Sequence, residues 1–401
     1  MTVSPAERSA LERIEREPML RQTHLWAAIN SGSANLEGLA RQAELLADAF
    51  AALPGELVLR EPQPVQVMDA DGRLRPSEHG RNLHLTVRPE APVQLLLTGH
   101  MDTVYAKDHT FQAVDWIEDG VLGGPGVADM KGGLTVMLAA LLAVEASPTA
   151  GSVGYELVIN SDEEVGSPGS AALIARAAQG KTAAFTYEPA IAPDGTLAAA
   201  RPGSGNFSIM VRGRSAHAGR NPEDGRNAVL AAAELALRLA EGGGPDLSVN
   251  PARIDGGGPN NVVPDHAIVR VNLRPRTAEA QRRAEALLDD VMKQVARTRE
   301  VELSLHGGFG RPPKPFEPAA GLFGFVARCG ADLGQSIAWR DTGGVCDGNI
   351  VAAQGVPVID TMGVRGGAIH SAEEYLIVDS LVERAQLSAL AIMRLAAGEP
   401  L

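Results

Sequence analysis

Histidine and acidic residues follow apolar segments of this sequence, and their positions predict a metal site. Four segments carry them: His100 and Asp102 in VQLLLTGHMD, Asp129 in GPGVADMKGG, Glu163 and Glu164 in YELVINSDEEVG, and Glu188 in AAFTYEPA. The apolar runs in three of these segments predict strands, and open α/β sheets bind ligands beyond the carboxyl ends of their strands. We therefore expect the side chains to converge at one edge of a sheet. Their nitrogen and oxygen donors suit Zn²⁺, Mn²⁺ or Co²⁺.

The spacing of these residues indicates their roles. His100 and Asp102 stand two positions apart, which places both side chains on one face of an extended chain. This spacing suits a ligating histidine whose second ring nitrogen is held by a carboxylate. The adjacent Glu163 and Glu164 cannot point the same way in a strand, so one could bind metal while the other faces the attacking water. An exposed turn is the common setting of paired glutamates, but the apolar run LVIN before this pair favours a site.

The elements that must position these residues alternate along the chain. Helical spacing of apolar residues predicts a helix over 31–53, which Pro54-Gly55 ends. Predicted strands (83–87, 93–97, 155–160, 183–187) then alternate with predicted helices (134–144, 170–178). Strands that are apolar throughout and alternate with helices predict an α/β fold with a mostly parallel sheet covered by helices on both faces.

A different pattern occupies the middle of the chain. From about 208 to 306 the order of predicted elements is β-α-β-β-α-β, which is the ferredoxin-like α+β unit. Glycine- and proline-rich segments at 201–206 and 307–315 flank it and are typical of hinges. We therefore predict a catalytic domain formed by 1–203 and 313–401, with an inserted lid and dimerisation domain at 204–312. The edge strands of the inserted sheet need cover, which predicts a homodimer through this domain.

Net charge, cysteine count and the length of the apolar runs argue against several classes of protein. The net charge is −13, from 36 Lys and Arg against 49 Asp and Glu, which argues against nucleic acid or an anionic membrane surface as the partner. Two cysteines are too few for a disulfide scaffold. The first 22 residues are charged without an apolar stretch, and no uninterrupted apolar run reaches membrane-spanning length. We expect a cytoplasmic enzyme that does not bind a membrane.

Six segments together resemble one family. HMDTV, GPGVADMKGG, SDEEVGS, YEP, GRSAHAG and GGAIHSAEEYL are similar, in this order, to motifs of the co-catalytic zinc hydrolases. That family includes glutamate carboxypeptidase, aminoacylase, and acetylornithine and succinyl-diaminopimelate deacetylases. The resemblance covers most of the chain and implies two Zn²⁺ ions per chain, for which Co²⁺ or Mn²⁺ could substitute. It implies that His100 and Glu188 hold the first ion, that Glu164 and His370 hold the second, and that Asp129 bridges both. It also implies a cis peptide bond after Asp129.

The resemblance implies roles at the substrate as well. Glu163 would be the general base, Asp102 the partner of His100, and His217 a donor to the oxyanion, supplied within the chain or across a dimer. The substrate carboxylate would be bound by three further residues: Asn261, Arg274 and Arg311. One position departs from the family pattern, because Thr196 stands where glutamate carboxypeptidases of this type carry a lysine. Specificity for a C-terminal glutamate is therefore not predicted.

The function that these features predict is hydrolysis of an amide bond adjacent to a free carboxylate. The substrate would be a small N-acyl amino acid or a short peptide, and the enzyme a carboxypeptidase or an N-acyl-amino-acid hydrolase. A dipeptidase and a hydrolytic deaminase of an aromatic amine would use the same metal centre, so both stay open. A binding protein without catalysis would have lost Glu163 or a ligand, and the sequence retains all of them.

Overall fold

The structure of the protein is a computed structural model that describes residues 2–401, and the chain divides into two compact units. Unit 1 comprises the described residues through 63, together with 78–200 and 315–401, and unit 2 comprises 64–77 and 201–314. The α-helices of the described chain are, in order, α1 (Pro5–Leu11), α2 (Arg16–Ala27), α3 (Leu36–Phe50), α4 (Gly133–Glu145), α5 (Ala171–Ala178), α6 (Ala228–Glu241), α7 (Ala278–Arg299), α8 (Ala320–Asp332), α9 (Gly348–Ala352) and α10 (Asp379–Ala396).

The strands of the described chain are, in order, β1 (Glu56–Arg60), β2 (Val65–Met68), β3 (Leu74–Ser77), β4 (Asn82–Val87), β5 (Val93–His100), β6 (Asp115–Glu118), β7 (Val121–Gly123), β8 (Val153–Asn160), β9 (Ala183–Thr186), β10 (Leu197–Ala198), β11 (Ser204–Arg212), β12 (Leu247–Gly256), β13 (His266–Pro275), β14 (Glu302–Arg311), β15 (Trp339–Arg340), β16 (Val358–Ile359), β17 (Gly366–Gly367) and β18 (Tyr375–Ile377). The helix predicted over 31–53 is shorter in the structure, because the side chain of Asn35 caps α3 by accepting from the Gly38 N–H.

The principal sheet of unit 1 has six strands in the order β1-β4-β8-β5-β9-β16. Strand β5 pairs in parallel with β8 and β9, and β9 pairs in parallel with β16, while β4 is antiparallel to its neighbours. Leu95 and Leu97 of β5 belong to the buried cluster that contains residues of α4 and α10. Leu96 points to the opposite face and belongs to a cluster with residues of α5 and α9. Helices therefore cover both faces, which confirms the predicted α/β class.

One helical stretch is apolar enough to resemble a membrane span. Val127–Glu145, which includes α4, has 19 residues with a mean hydropathy of 1.7 over its most apolar window. Because 89% of that window is buried inside the protein, packing in the core accounts for its apolar composition.

Unit 2 has a four-stranded antiparallel sheet in the order β12-β13-β11-β14. With α6 after β11 and α7 after β13, its elements follow the predicted β-α-β-β-α-β order. Alternate residues of β11, namely Phe207, Ile209 and Val211, pack with buried residues of both helices. The helices thus lie on one face of the sheet, as the ferredoxin-like pattern predicts.

A hairpin distant in sequence also belongs to unit 2. Strands β2 and β3 pair with each other, and Met68 packs against Met210 and Ile268 on the face of the sheet opposite the helices. The Arg270 guanidinium donates to the carbonyl oxygens of Met68, at 3.0 Å, and Asp69, at 3.2 Å. Residues 64–77 were predicted to lie in the first part of the catalytic domain. They cluster with unit 2 because of these long-range contacts, which local patterning does not reveal.

Candidate metal centre

Three neighbouring strands of unit 1 bring His100, the 163–164 pair and Glu188 to one edge of the sheet. His100 is the last residue of β5 and lies opposite Asn160, the last residue of β8. Because these strands are parallel, Asp102 and the 163–164 pair emerge side by side from their carboxyl ends. Strand β9, on the other side of β5, ends at Thr186, two residues before Glu188. The convergence predicted from the sequence is present in the structure.

Two histidines flank the Asp129 carboxylate. His100 Nε2 lies 3.1 Å from Asp129 Oδ1 and 3.8 Å from Glu188 Oε1. His370 Nε2 lies 3.3 Å from Asp129 Oδ2 and 3.2 Å from Glu164 Oε2. Each oxygen of Asp129 therefore faces a different histidine, and each histidine faces a second carboxylate. The peptide bond between Asp129 and Met130 is cis, as the family resemblance implied.

The chemistry of these donors fits divalent metal ions. His100, Glu163 and Glu188 form one group whose ligand atoms all lie within 4.8 Å of one another, and His100, Asp129 and Glu164 form a second. Imidazole nitrogens and carboxylate oxygens are the donors that Zn²⁺, Mn²⁺ and Co²⁺ share. Glu163 and Glu164 thus each belong to one of the two donor groups. Position alone therefore does not decide which glutamate of the pair is the base and which is the ligand.

Electrostatic coupling within the cluster is strong. Burial and the nearby Asp129 carboxylate raise the pKa of Glu164 to about 8. Hydrogen bonds to Asp129 and Glu164 raise the pKa of His370 to about 11. Burial opposes the charged form of His100, but the carboxylates of Glu188, Asp102 and Asp129 outweigh it and hold the pKa of His100 well above its usual value. Carboxylates outnumber histidines here, so the cluster favours the binding of cations.

Asp102 connects the two glutamates to His100. Its Oδ1 accepts the Glu163 N–H at 3.1 Å and lies 3.4 Å from His100 Nδ1, while its Oδ2 accepts the Glu164 N–H at 3.1 Å. The Ser33 hydroxyl donates to the same Oδ2 at 2.7 Å. Asp102 is completely buried. His100 Nδ1 lies closer to the Asp102 carbonyl oxygen, at 3.0 Å, than to this carboxylate. The role of Asp102 as the partner of His100 stays a prediction. Ser33 and the two backbone contacts bridge distant segments and were not predicted from the sequence.

Glu374 is a buried carboxylate that was not predicted from the sequence. It is 1% exposed and accepts hydrogen bonds from the loop that carries Asp129. Glu374 lies in the segment GGAIHSAEEYL, which carries His370. Its place four residues after a predicted ligand is the sequence signal that could have identified it.

The remaining predicted site residues lie in unit 2. His217 is exposed, and its Nδ1 accepts the N–H groups of Gly219 and Arg220, both at 3.1 Å. A neutral ring that accepts at Nδ1 carries its proton on Nε2, so His217 presents a donor at that atom. The carbonyl oxygen of Asn261 accepts the Ala218 N–H at 2.9 Å, so the two loops are adjacent.

The two predicted carboxylate-binding arginines lie near the ends of β13 and β14, which β11 separates in the sheet of unit 2. Arg274 is exposed near the end of β13, and its Nε donates to Asn272 Oδ1 at 2.9 Å. Arg311 is the last residue of β14 and is 6% exposed. Their part in substrate binding stays a prediction, as do the roles of His217 and Asn261.

Sequence comparisons place the chain in one family. The model of the Peptidase family M20/M25/M40 matches residues 96–394. Carboxypeptidase G2 of Pseudomonas sp. (strain RS-16) is 29% identical over 330 residues, which are 80% of this chain and 78% of that protein. Succinyl-diaminopimelate desuccinylase of Xanthomonas oryzae pv. oryzae (strain MAFF 311018) is 31% identical over 320 residues, which are 75% of this chain and 83% of that protein.

Solved structures share the fold at lower identity. Aminopeptidase PepT from Bacillus cereus ATCC 10987 superposes with a TM-score of 0.71 at 21% identity, covering 96% of this chain and 100% of that one. A dinuclear metal-binding peptidase of the M20 family from Bacillus subtilis superposes with a TM-score of 0.66 at 14% identity, covering 95% of this chain and 98% of that one. At these identities the likeness establishes the fold.

Proposed function

Since this chain belongs to peptidase family M20/M25/M40, we propose that it hydrolyses an amide bond adjacent to a free carboxylate. By its family it is a metal-dependent hydrolase of C–N bonds. One similar protein is a carboxypeptidase and another is a desuccinylase, so a carboxypeptidase or an N-acyl-amino-acid hydrolase is the proposed class. The observation that carries the proposal is the pair of donor groups around Asp129, with Glu163 beside them.

Two Zn²⁺ ions are the proposed cofactors, with Co²⁺ or Mn²⁺ as substitutes. His100 and Glu188 would hold one ion, Glu164 and His370 the other, and the two oxygens of Asp129 would be shared between them. When bound, such ions lower the pKa of a water molecule and polarise the carbonyl of the scissile amide.

Three side chains of the protein are proposed to transfer the proton and to stabilise the developing charge. Glu163 takes the proton of the attacking water and passes it to the leaving nitrogen. Asp102 holds the backbone of Glu163 for this transfer through the contact at 3.1 Å. His217, from the same chain or from a partner subunit, donates a hydrogen bond from Nε2 to the developing oxyanion.

Arginine would bind the free carboxylate of the substrate. Guanidinium groups bind carboxylates through two parallel hydrogen bonds, and a lysine cannot reproduce that geometry. Arg311→Lys, which keeps the charge, is therefore expected to lower kcat/KM about tenfold, mainly through KM. Steady-state kinetics on the best substrate and on its C-terminal amide give the result. An equal loss on both substrates would show that Arg311 does not bind the carboxylate.

Exposed apolar residues of unit 2 support a homodimer. Leu230 and Leu237, seven positions apart on one face of α6, are 53% and 66% exposed. Ile254 on the edge strand β12 is 46% exposed. Apolar residues grouped in this way mark interaction surfaces. We propose that two copies of the chain pair through α6 and β12.

The double substitution Leu230→Glu and Leu237→Glu is expected to convert the dimer to a monomer without unfolding it, since both side chains are exposed. Sedimentation velocity at micromolar concentration measures the mass. Leu25→Glu, at an equally exposed leucine of α2 (51%), is the matched control and should stay dimeric. A wild-type protein that sediments as a single chain would contradict the proposed dimer.

The proposed activity is tested by amine release from a pooled panel of N-acyl amino acids, dipeptides and folate-like conjugates. Zinc- or cobalt-loaded protein is compared with metal-free protein. Metal-dependent release supports the amidohydrolase, and division of the pool names the substrate. Division of the pool also tests specificity for glutamate. Such specificity is not expected, because Thr196 supplies no cation and its hydroxyl donates to Asp194 Oδ1 at 2.7 Å. Ammonia release from aromatic amines, with the panel inert, would favour the deaminase instead.

A further inference from the structure

The carboxylate of Glu374 is surrounded by donors from the loop that carries Asp129. Its Oε1 accepts the N–H groups of Ala128 and Asp129, both at 2.9 Å, and its Oε2 accepts the Gly126 N–H at 3.0 Å. The Tyr105 hydroxyl lies 2.7 Å from the same Oε2. Three backbone groups and one hydroxyl thus converge on a side chain that is 1% exposed. Glu374 itself contacts neither histidine of the candidate metal centre among the described hydrogen bonds.

The main chain of Glu374 joins the same loop to the segment of His370. Its N–H donates to the Ser371 carbonyl oxygen at 3.2 Å, which closes the turn after His370. Its carbonyl oxygen accepts the Gly124 N–H at 3.2 Å, where β18 begins to pair with β7. The Tyr105 hydroxyl also lies 2.8 Å from the Ser371 carbonyl oxygen, so its one proton is available to either acceptor. Both candidate ligand segments therefore meet at Glu374.

We propose that Glu374 is a positioning residue that sets the separation of Asp129 and His370, and through it the affinity for the metal ion that these two ligands share with Glu164. The inference rests on the proposed metal centre. The two ligand atoms, Asp129 Oδ2 and His370 Nε2, lie 3.3 Å apart, and each belongs to a segment whose backbone Glu374 binds.

A carboxylate suits this position because it only accepts hydrogen bonds. Both of its oxygens face a backbone N–H group, so the amide of a glutamine would turn its NH₂ group towards at least one buried donor. That donor would lose its partner, and the loop would have to move to regain one. Movement of the loop changes the position of Asp129 relative to His370.

The test is a titration of metal-free protein with Zn²⁺ in competition with a chromophoric chelator, which resolves two dissociation constants. In Glu374→Gln, we expect the constant of one site to rise about 10- to 100-fold, the usual effect of removing a group that orients a ligand. The other site should change less, because Glu374 binds the segment of only one of its ligands, Asp129. The weakened site should be the one that His370→Ala abolishes. Tyr105→Phe removes one donor of the four and should weaken the same site less.

Glu373→Gln is the matched control, because Glu373 is the exposed neighbour and the change in charge is the same. Thermal unfolding of each metal-free variant shows whether the fold is retained. Unchanged constants in Glu374→Gln, or an equal change in Glu373→Gln, would overturn the proposal. If Glu374→Gln does not fold, Tyr105→Phe decides, and wild-type constants in that variant would overturn it. A wild-type protein that binds no Zn²⁺ would instead overturn the metal centre, and this inference with it.

Discussion

Glu163→Gln is expected to lower kcat about 10²- to 10⁴-fold while the protein still binds two metal ions, because glutamine has no basic oxygen to take a proton. The substitution preserves the shape of the side chain, and the backbone of residue 163 stays bound to Asp102. The positions of Glu164 and Glu188 are therefore expected to be retained. The measurement is single-turnover or steady-state amide hydrolysis, together with metal content by elemental analysis.

The metal content decides between the two roles that the geometry allows Glu163. This residue forms a donor group with His100 and Glu188, whereas Glu164 groups with His100 and Asp129. Glu164→Gln is the matched variant and is expected to lose one metal ion as well as activity. If Glu163→Gln loses the metal ion and Glu164→Gln keeps both, the two roles are exchanged and the assignment of the base is wrong.

Asp102→Asn is expected to lower kcat/KM about 10²- to 10³-fold, since it disturbs both a metal ligand and the base. The carboxylate oxygens of Asp102 accept the Glu163 and Glu164 N–H groups, one each, and both distances are 3.1 Å. Either orientation of the asparagine amide places its NH₂ group against one of these donors. The 163–164 backbone must then move, and His100 loses the carboxylate that lies 3.4 Å from its Nδ1.

Kinetics at saturating Zn²⁺ separate the two effects of Asp102→Asn. Activity that returns to the wild-type level in excess metal would mean that Asp102 acts only through metal affinity, which contradicts a part in placing Glu163. Ser33→Ala removes the hydroxyl that donates to Oδ2 at 2.7 Å and leaves both backbone contacts in place. Its loss of kcat/KM should be much smaller, and an equal loss would show that the hydroxyl, rather than the backbone contacts, matters.

The family and the fold class were accessible from the sequence. The family resemblance is confirmed by the match over 96–394, and the α/β class by the sheet around β5. Both rest on signals that are local in the chain: apolar runs, helical spacing, and short segments such as SDEEVGS. The cytoplasmic location and the boundaries at 203 and 312 stay predictions.

The sequence alone also predicted that His100, Glu163, Glu164 and Glu188 converge, because a histidine or an acid after an apolar strand emerges at the edge where parallel strands end. His370 and the shared position of Asp129 were implied by the family resemblance, and the role of each ligand stays a prediction. The tertiary structure decided how those ligands are held. Ser33 reaches Asp102 across 69 positions of sequence, and Glu374 reaches Asp129 across 245. The hairpin at 64–77 likewise joined unit 2 through Met68. Such contacts depend on which distant segments the fold brings together in space. The local spacing of apolar residues along the sequence does not predict them.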